Sequence, residues 1–402
     1  MLSLPAQSQK LSAWLQHSAL PFWSLQGINP QTGAAYEKFN ADHQPDLSAI
    51  FRSRVQARQV FVFAAAYQQG WLPDALATVA GIQHFLNQHA KKESADAGYV
   101  HSLTASGKQL DRKLDAYDFA FFLLSCAHRY QSFSDLQALD QANKLLKQIE
   151  QQFHAAPGGW MEGDYSSPYR RQNPHMHLFE AFLALYQATK DGKWLAKAGQ
   201  IYTLFETVFF RAEQGVLLEY FTDNWQPLPG KQGLLIEPGH MFEWVWLLRW
   251  YQQLTDTPVN HYCDVLYRNG LKLGIEAATG LVYDEVLANG EPVKATKRLW
   301  PLTELIKASL AQAKASTVLQ DRINAEQTAA LAIDLLFRFY LTSNVTGLYI
   351  DQLDAYNQVC VADAPASTLY HLMVAGLEAR VYTQETSRYE CQLEINPAQG
   401  KL

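Results

Sequence analysis

Two kinds of helix-forming segment alternate along this chain, and that alternation restricts its fold more than any other feature. Apolar residues recur with a 3.6-residue period near 7–19, 49–69, 74–91, 115–130, 134–154, 174–189, 193–211, 239–254, 259–274, 302–315, 319–341 and 367–379. The second and eighth segments (FRSRVQARQVFVFAAAY and HMFEWVWLLRWY) are apolar nearly all round, whereas the fifth (SDLQALDQANKLLKQIEQQF) carries one apolar stripe. A helix apolar on every side must be enclosed by others, and a striped one faces water. Twelve helices alternating outer and inner predict an all-α protein, an (α/α)6 barrel or six-hairpin toroid. Short β-hairpin inserts are expected at 280–293, where Asn289-Gly290 signals a turn, and at 216–221 and 347–351. No Pro/Gly/Ser-rich linker divides the chain, so one domain is expected over residues 1–402.

Proline punctuation indicates which end of such a ring matters. Asn173-Pro174, Glu237-Pro238 and Trp300-Pro301 each precede an even-numbered helix, and Pro365 precedes the last. Proline suits the first helical position and Asn is a good N-cap. His177, His240 and Glu304 therefore fall in or just beyond a first turn, with His371 slightly deeper. Inner helices of a ring run parallel, so these side chains gather at one end of the central cavity. Helix N-termini carry partial positive charge, which predicts neutral imidazoles there, competent as general bases. Two histidines with Arg58 suit removal of a proton from a carbon beside a carbonyl, with cationic and N–H donors holding the enediolate.

Bulk properties exclude other classes. An apolar fraction of 48 % with 18 % charged residues is that of a globular chain. A net charge of −6 without any Lys/Arg cluster argues against nucleic acid as a partner. Cys126, Cys263, Cys360 and Cys391 are far apart and form no CxxC pair, which fits a reducing compartment and neither a disulfide framework nor a zinc knuckle. The start MLSLPAQSQK has no signal-peptide pattern, and the apolar run VFVFAAAY at 60–67 is too short to span a membrane. A cytoplasmic location and no membrane partner are expected.

Five blocks carry a resemblance. EPGHMFEWVWLL (237–248), NPHMHLFEAFLALY (173–186), RVQARQVFVFAAAYQQGW (54–71), RLWPLTELIKA (298–308) and STLYHL (367–372) resemble the N-acylglucosamine 2-epimerase superfamily, in that family's order. The resemblance implies an (α/α)6 barrel that isomerises or epimerises a small-molecule sugar at C1/C2 without a metal or other cofactor. It implies that His240 and His371 are the acid/base pair and that Arg58 lies near the substrate carbonyl or O2. His177 is implied for ring opening or oxygen binding, with Asn173 beside it, and Glu243 for orienting His240 or a sugar hydroxyl. Tyr117, Trp300 and Glu304 match pocket positions. Arg58, Tyr117, His177, His240, Glu304 and His371, chosen partly from this resemblance, follow one another at intervals of 59, 60, 63, 64 and 67 residues. Each interval holds two helices and a turn.

The RVQARQ and RLWPLTE blocks look most like D-mannose isomerase-type members, so mannose–fructose interconversion is the expected reaction. The alternatives are 2-epimerisation of an N-acylglucosamine or another aldose, or action on a phosphorylated sugar, although no phosphate-cradling Gly loop is present. His240-x-x-Glu243 is half of a metal-site pattern, but no partner set stands at ligand spacing. His175 is expected to be a surface or packing residue and Glu180 to lie on the helix side without a role. Arg58, read alone, could equally make a buried salt bridge. Asp164 with Glu237 or Glu304 would be the carboxylate pair of a rival glycoside hydrolase or lyase, and a sugar-binding protein without catalysis is a second rival. A monomer or homodimer is expected.

Overall fold

The computed structural model describes residues 2–92 and 98–395. Twelve helical rods account for most of them. They are α1 (Leu4–Trp14, continuing through Leu15–Ala19 to Leu20–Leu25), α2 (Ser53–Gln68), α3 (Ala75–Phe85 and Leu86–Ala90), α4 (Ala116–Phe133), α5 (Leu136–Gln152) and α6 (Gln172–Thr189). The second half supplies α7 (Gly192–Leu204 and Phe205–Phe209), α8 (Pro238–Thr255), α9 (Asn260–Gly274), α10 (Trp300–Ala315), α11 (Leu319–Leu335 and Leu336–Tyr340) and α12 (Ala366–Ile395).

The alternation of apolar patterns becomes an alternation of layers. In α2 every residue from Val55 to Ala66 is buried, as an inner helix requires. In α5 burial is confined to the stripe Ala138, Ala142, Leu145, Gln148 and Ile149, one face of an outer helix. Each inner helix packs on two others: α2 on α4, α4 on α6, α6 on α8, α8 on α10, α10 on α12, and α12 back on α2. The ring is therefore closed. One hydrophobic core runs through it from Leu4 to Tyr382. Full burial of a Leu or Phe side chain contributes about 1.5–3 kcal/mol, so the ring is held mainly by this apolar area.

Short antiparallel pairings stitch the ring at one end. Phe51–Arg52 pairs with Ser102–Leu103, Asp115 bridges to Gly163, and Arg170–Arg171 pairs with Tyr220–Phe221. Leu235–Ile236 pairs with Glu285–Leu287, Lys297–Arg298 with Gln352–Leu353, and Ala364–Pro365 with Lys38–Phe39. Each clasp joins the residues just ahead of one inner helix to the loop ahead of the next. The sixth returns to the first repeat, so the clasps form their own closed circuit around the mouth where the inner helices begin.

Several expectations shift in detail. The hairpin at 280–293 forms as Glu285–Leu287 against Pro292–Lys294, with Gly290 at φ +88° in the turn. The segment 216–221 splits between two sheets, and 347–351 forms no strand; the ladder begins at Gln352. Asn173 is not an N-cap. The strand Arg170–Arg171 runs directly into α6, which starts at Gln172 and frees the Asn173 side chain for the cavity.

Candidate active site

The mouth bounded by the clasps opens into a cavity of about 340 Å³, to which all six inner helices contribute. Arg58 enters it from α2, Tyr117 from α4, Asn173 and His177 from α6, His240 and Glu243 from α8, Trp300 from α10 and His371 from α12. Trp300 lies between the two expected acid/base residues, its ring centroid 5.1 Å from that of His240 and 5.6 Å from that of His371. Gly239 makes room for this indole, since a Cβ there would sit 2.5 Å from its ring. Eight of the nine expected residues line one cavity. Glu304 is the ninth and stands behind His371, fully buried.

His240 is held by carboxylates. Its Nδ1–H donates to Glu219 Oε1 at 3.0 Å. The Gln172 amide donates to Glu219 Oε2 at 2.9 Å and accepts from the Trp244 indole at 2.7 Å, which fixes the angle of that carboxylate. Glu237 lies 4.0 Å from Nδ1. Burial alone would lower the His240 pKa, but Glu219, Glu237 and Glu243 outweigh it and push the imidazole up to about 10. His240 is therefore an imidazolium, which corrects the expectation that helix N-termini keep it neutral. Its Nε2 is 3.2 Å from the Asn173 amide. Turning that amide end for end brings Oδ1, otherwise buried without a partner, opposite Nε2–H.

His371 meets the reverse environment. Its Nδ1 is 2.9 Å from Glu304 Oε1, but burial, the Arg58 guanidinium, the Lys307 ammonium and His177 hold its pKa well below the ordinary value. A neutral ring donating Nδ1–H to Glu304 leaves the Nε2 lone pair for the cavity. Among the described residues Arg58 has no carboxylate partner; it donates to the Tyr117 hydroxyl at 2.7 Å and to the Ser367 carbonyl at 3.4 Å, and rests over the Phe121 ring. The buried salt bridge considered for it does not form. His177 is also neutral, lowered to about 4 chiefly by burial, although Glu180 lies 3.3 Å from its Nδ1.

Known proteins give this constellation a family. Residues 34–375 match the model of the N-acylglucosamine 2-epimerase (GlcNAc 2-epimerase) family. This chain belongs to that family. It is 34 % identical over 384 residues to a mannose-6-phosphate isomerase of Rhizobium meliloti, covering 94 % of this chain and 97 % of that one. A D-mannose isomerase of Thermobifida fusca is 25 % identical over 327 residues, 74 % of this chain and 77 % of the relative. Among solved structures, cellobiose 2-epimerase from Bacillus thermoamylovorans superposes with a TM-score of 0.82 at 20 % identity, covering 92 % of this chain and 98 % of its own, which confirms the barrel. Family membership makes the protein a sugar isomerase or epimerase. No described helix is long and apolar enough to cross a membrane.

Other expectations for this family member divide. Glu180 is not an idle helix-side residue; it is buried, accepts from the Tyr370 hydroxyl and faces His177. His175 is a packing residue, buried, with Nε2 accepting the Trp160 backbone N–H at 3.0 Å. Asp164 is bound by Lys92 and the Leu114 backbone outside the cavity, so the carboxylate pair of a hydrolase is not assembled. Glu243 does not orient His240. Both its oxygens are buried without a hydrogen-bond partner, and burial together with Glu304 raises its pKa well above the ordinary carboxylate range. It faces the cavity, where burial favours its neutral form.

Among the described residues two clusters bring potential metal ligands within 4.8 Å of one another, His177 with Glu180 and Glu243, and Glu219 with Glu237 and His240. The first shares Lys307 with Glu304, and in the second Nδ1 of His240 carries the proton given to Glu219. Sequence reasoning missed Glu219 and Lys307. A lone acid in the apolar stretch VLLEYF and a lysine in an otherwise enclosed helix were the available signals.

Proposed function

We propose that this protein interconverts a mannose-configured aldose and its 2-ketose by proton transfer between C2 and C1 through a cis-enediolate. The observation that carries this reading is the pair of unlike histidines in one cavity: Glu219 and Glu237 flank His240 and favour its protonated form, whereas His371 meets a carboxylate already paired with Lys307 and favours the neutral form. Environments that push two titratable groups apart assign acid and base. His371 Nε2 takes the proton from C2 of the open-chain sugar while His240 Nε2–H supplies one to the carbonyl oxygen, so the enediolate anion that begins to form on O1 is discharged as the cis-enediol. Return of the proton from His371 to C1, with His240 recovering one from O2, yields the ketose. Arg58, the cavity cation without a carboxylate, stabilises the developing oxyanion. His177 and Glu243 bind sugar hydroxyls, and Trp300 packs on the sugar between the two imidazoles.

Isomerisation is preferred over 2-epimerisation because the whole-chain relative at 34 % identity is named an isomerase. A free sugar is preferred over a phosphate ester on charge balance. The other cavity arginines are each engaged already: Arg52 by Glu37, Arg54 by Asp118, and Arg298 by Asp284 and Glu237. Among the described cavity arginines, a phosphate dianion would have only Arg58 in surplus. The second reading, a 6-phosphorylated mannose, is favoured by the name of that same relative.

NMR of mannose, mannose 6-phosphate, glucose and N-acetylmannosamine incubated with the enzyme in D2O separates these readings. Fructose from mannose supports the proposal, and a kcat/KM for mannose 6-phosphate far above that for mannose supports the second reading. Formation of a C2-inverted aldose with no ketose would overturn isomerisation.

A further inference from the structure

Beneath the catalytic cavity lies a charged layer that the mechanism has not used. Lys307, on α10, is completely buried. Its ammonium sits 2.5 Å from Glu304 Oε2, off the line of a well-directed hydrogen bond, and 3.9 Å from the centre of the Trp246 ring. Glu243 on α8 and Glu180 on α6 also face it, and Glu378 on α12 lies within its field. Three axial carboxylates, Glu180, Glu243 and Glu304, thus share one lysine, and Glu304 has the shortest contact.

We propose that Lys307 is a positioning residue that acts through Glu304, keeping it ionised so that His371 holds its proton on Nδ1 and presents a bare Nε2 to the substrate. The inference rests on the reading of His371 as the base. The chemistry follows from where one proton sits. Burial raises the Glu304 pKa and Lys307 works against that rise, so that with Lys307 in place the carboxylate accepts Nδ1–H at 2.9 Å. Without it, Glu304 would be an uncompensated anion in a dry interior and would take up a proton. A protonated Glu304 donates to Nδ1, and the single imidazole proton moves to Nε2. The lone pair that must receive the C2 proton is then gone. Groups facing His371 from the other helices, Arg58 of α2 and His177 and Glu180 of α6, cannot restore it, because none contacts Nδ1.

The test is a double-mutant cycle of Lys307→Met and Glu304→Gln on the full chain, with kcat, KM and ¹⁵N-imidazole NMR of His371 as readouts. We expect Lys307→Met to lower kcat by about 10²-fold with little change in KM, and to move the His371 proton from Nδ1 to Nε2. The double variant should match Glu304→Gln to within about threefold, since the hydrogen-bonded route from Lys307 to Nδ1 is lost with Glu304 and only the direct field of the ammonium on the ring remains. That comparison holds even if Lys307→Met alone fails to fold, because the double variant removes ion and counterion together. Lys307→Met with an unchanged Nδ1–H tautomer, or a double variant far below Glu304→Gln, would overturn the proposal. Failure of the acid/base reading would show separately, as turnover surviving in His371→Ala.

Discussion

The wall of the cavity built by α6 and α8 and the wall built by α10 and α12 present the same residue type to the same substrate, yet in opposite states. His240 is the third residue of α8 and His371 the sixth of α12, both near the N-terminus of an inner helix. Helix ends alone would treat them alike, each contributing about 0.3–1 kcal/mol against the imidazolium. The neighbours do not. Glu219 and Glu237 surround His240, and the rise from 6.5 to about 10 corresponds to several kcal/mol, enough to override the helix end. His371 is bonded to Glu304, a carboxylate already claimed by Lys307, with Arg58 close by. A shared place in the fold thus sets where an imidazole points, and the side chains behind it set what it does.

The comparison breaks most severely if either ring is removed. His240→Ala and His371→Ala should each lower kcat by about 10²–10⁴-fold with far-UV circular dichroism unchanged. A variant keeping more than a tenth of the wild-type rate would remove that residue from the pair.

Glu219→Gln sharpens the contrast by making the two walls more alike. Loss of the nearest carboxylate should bring the alkaline limb of the kcat/KM–pH profile down by about 1–3 pH units and leave the acid limb in place. An unmoved alkaline limb would mean that His240 is not the acid being read.

Stability against pH reads both walls at once. His240 has a folded pKa above its unfolded value, so its contribution is present below about pH 6.5 and declines as pH rises through about 10. His371, with a pKa held well below 6.5, and His177, lowered to about 4, behave oppositely, contributing above pH 6.5 and losing that contribution as pH falls. Tm should therefore peak near pH 6.5 and fall on both sides, and His240→Ala should flatten only the alkaline side. Chelators should have the smallest effect of all. Activity lost to a chelator and restored by added Mn²⁺ or Zn²⁺ would place a metal in one of the carboxylate–histidine clusters.

The ring itself was legible because it depends on long periodic segments. All twelve helices were foreseen, with ends off by a few residues where π-turn segments extend α1 or strands abut α6, except that α12 runs to Ile395, well past its expected end at 379. The clasps were mostly illegible, since a two-residue ladder such as Arg170–Arg171 has no period to detect. The residues that meet the cavity were reached through family blocks and proline spacing. Their protonation was not, because Glu219 acts on His240 from 21 residues away through a loop whose path only the folded chain defines. Lys307 could have been noticed as a charge three residues beyond Glu304 on an enclosed helix, a spacing that puts both on one face.

The most direct measurement is ¹⁵N NMR titration of the His240 and His371 rings, assigned by single substitution, in the unliganded enzyme. Near pH 7.5 the His240 ring should show both nitrogens protonated and the His371 ring one, on Nδ1. Two neutral rings, or two charged ones, would contradict the division of labour between the walls.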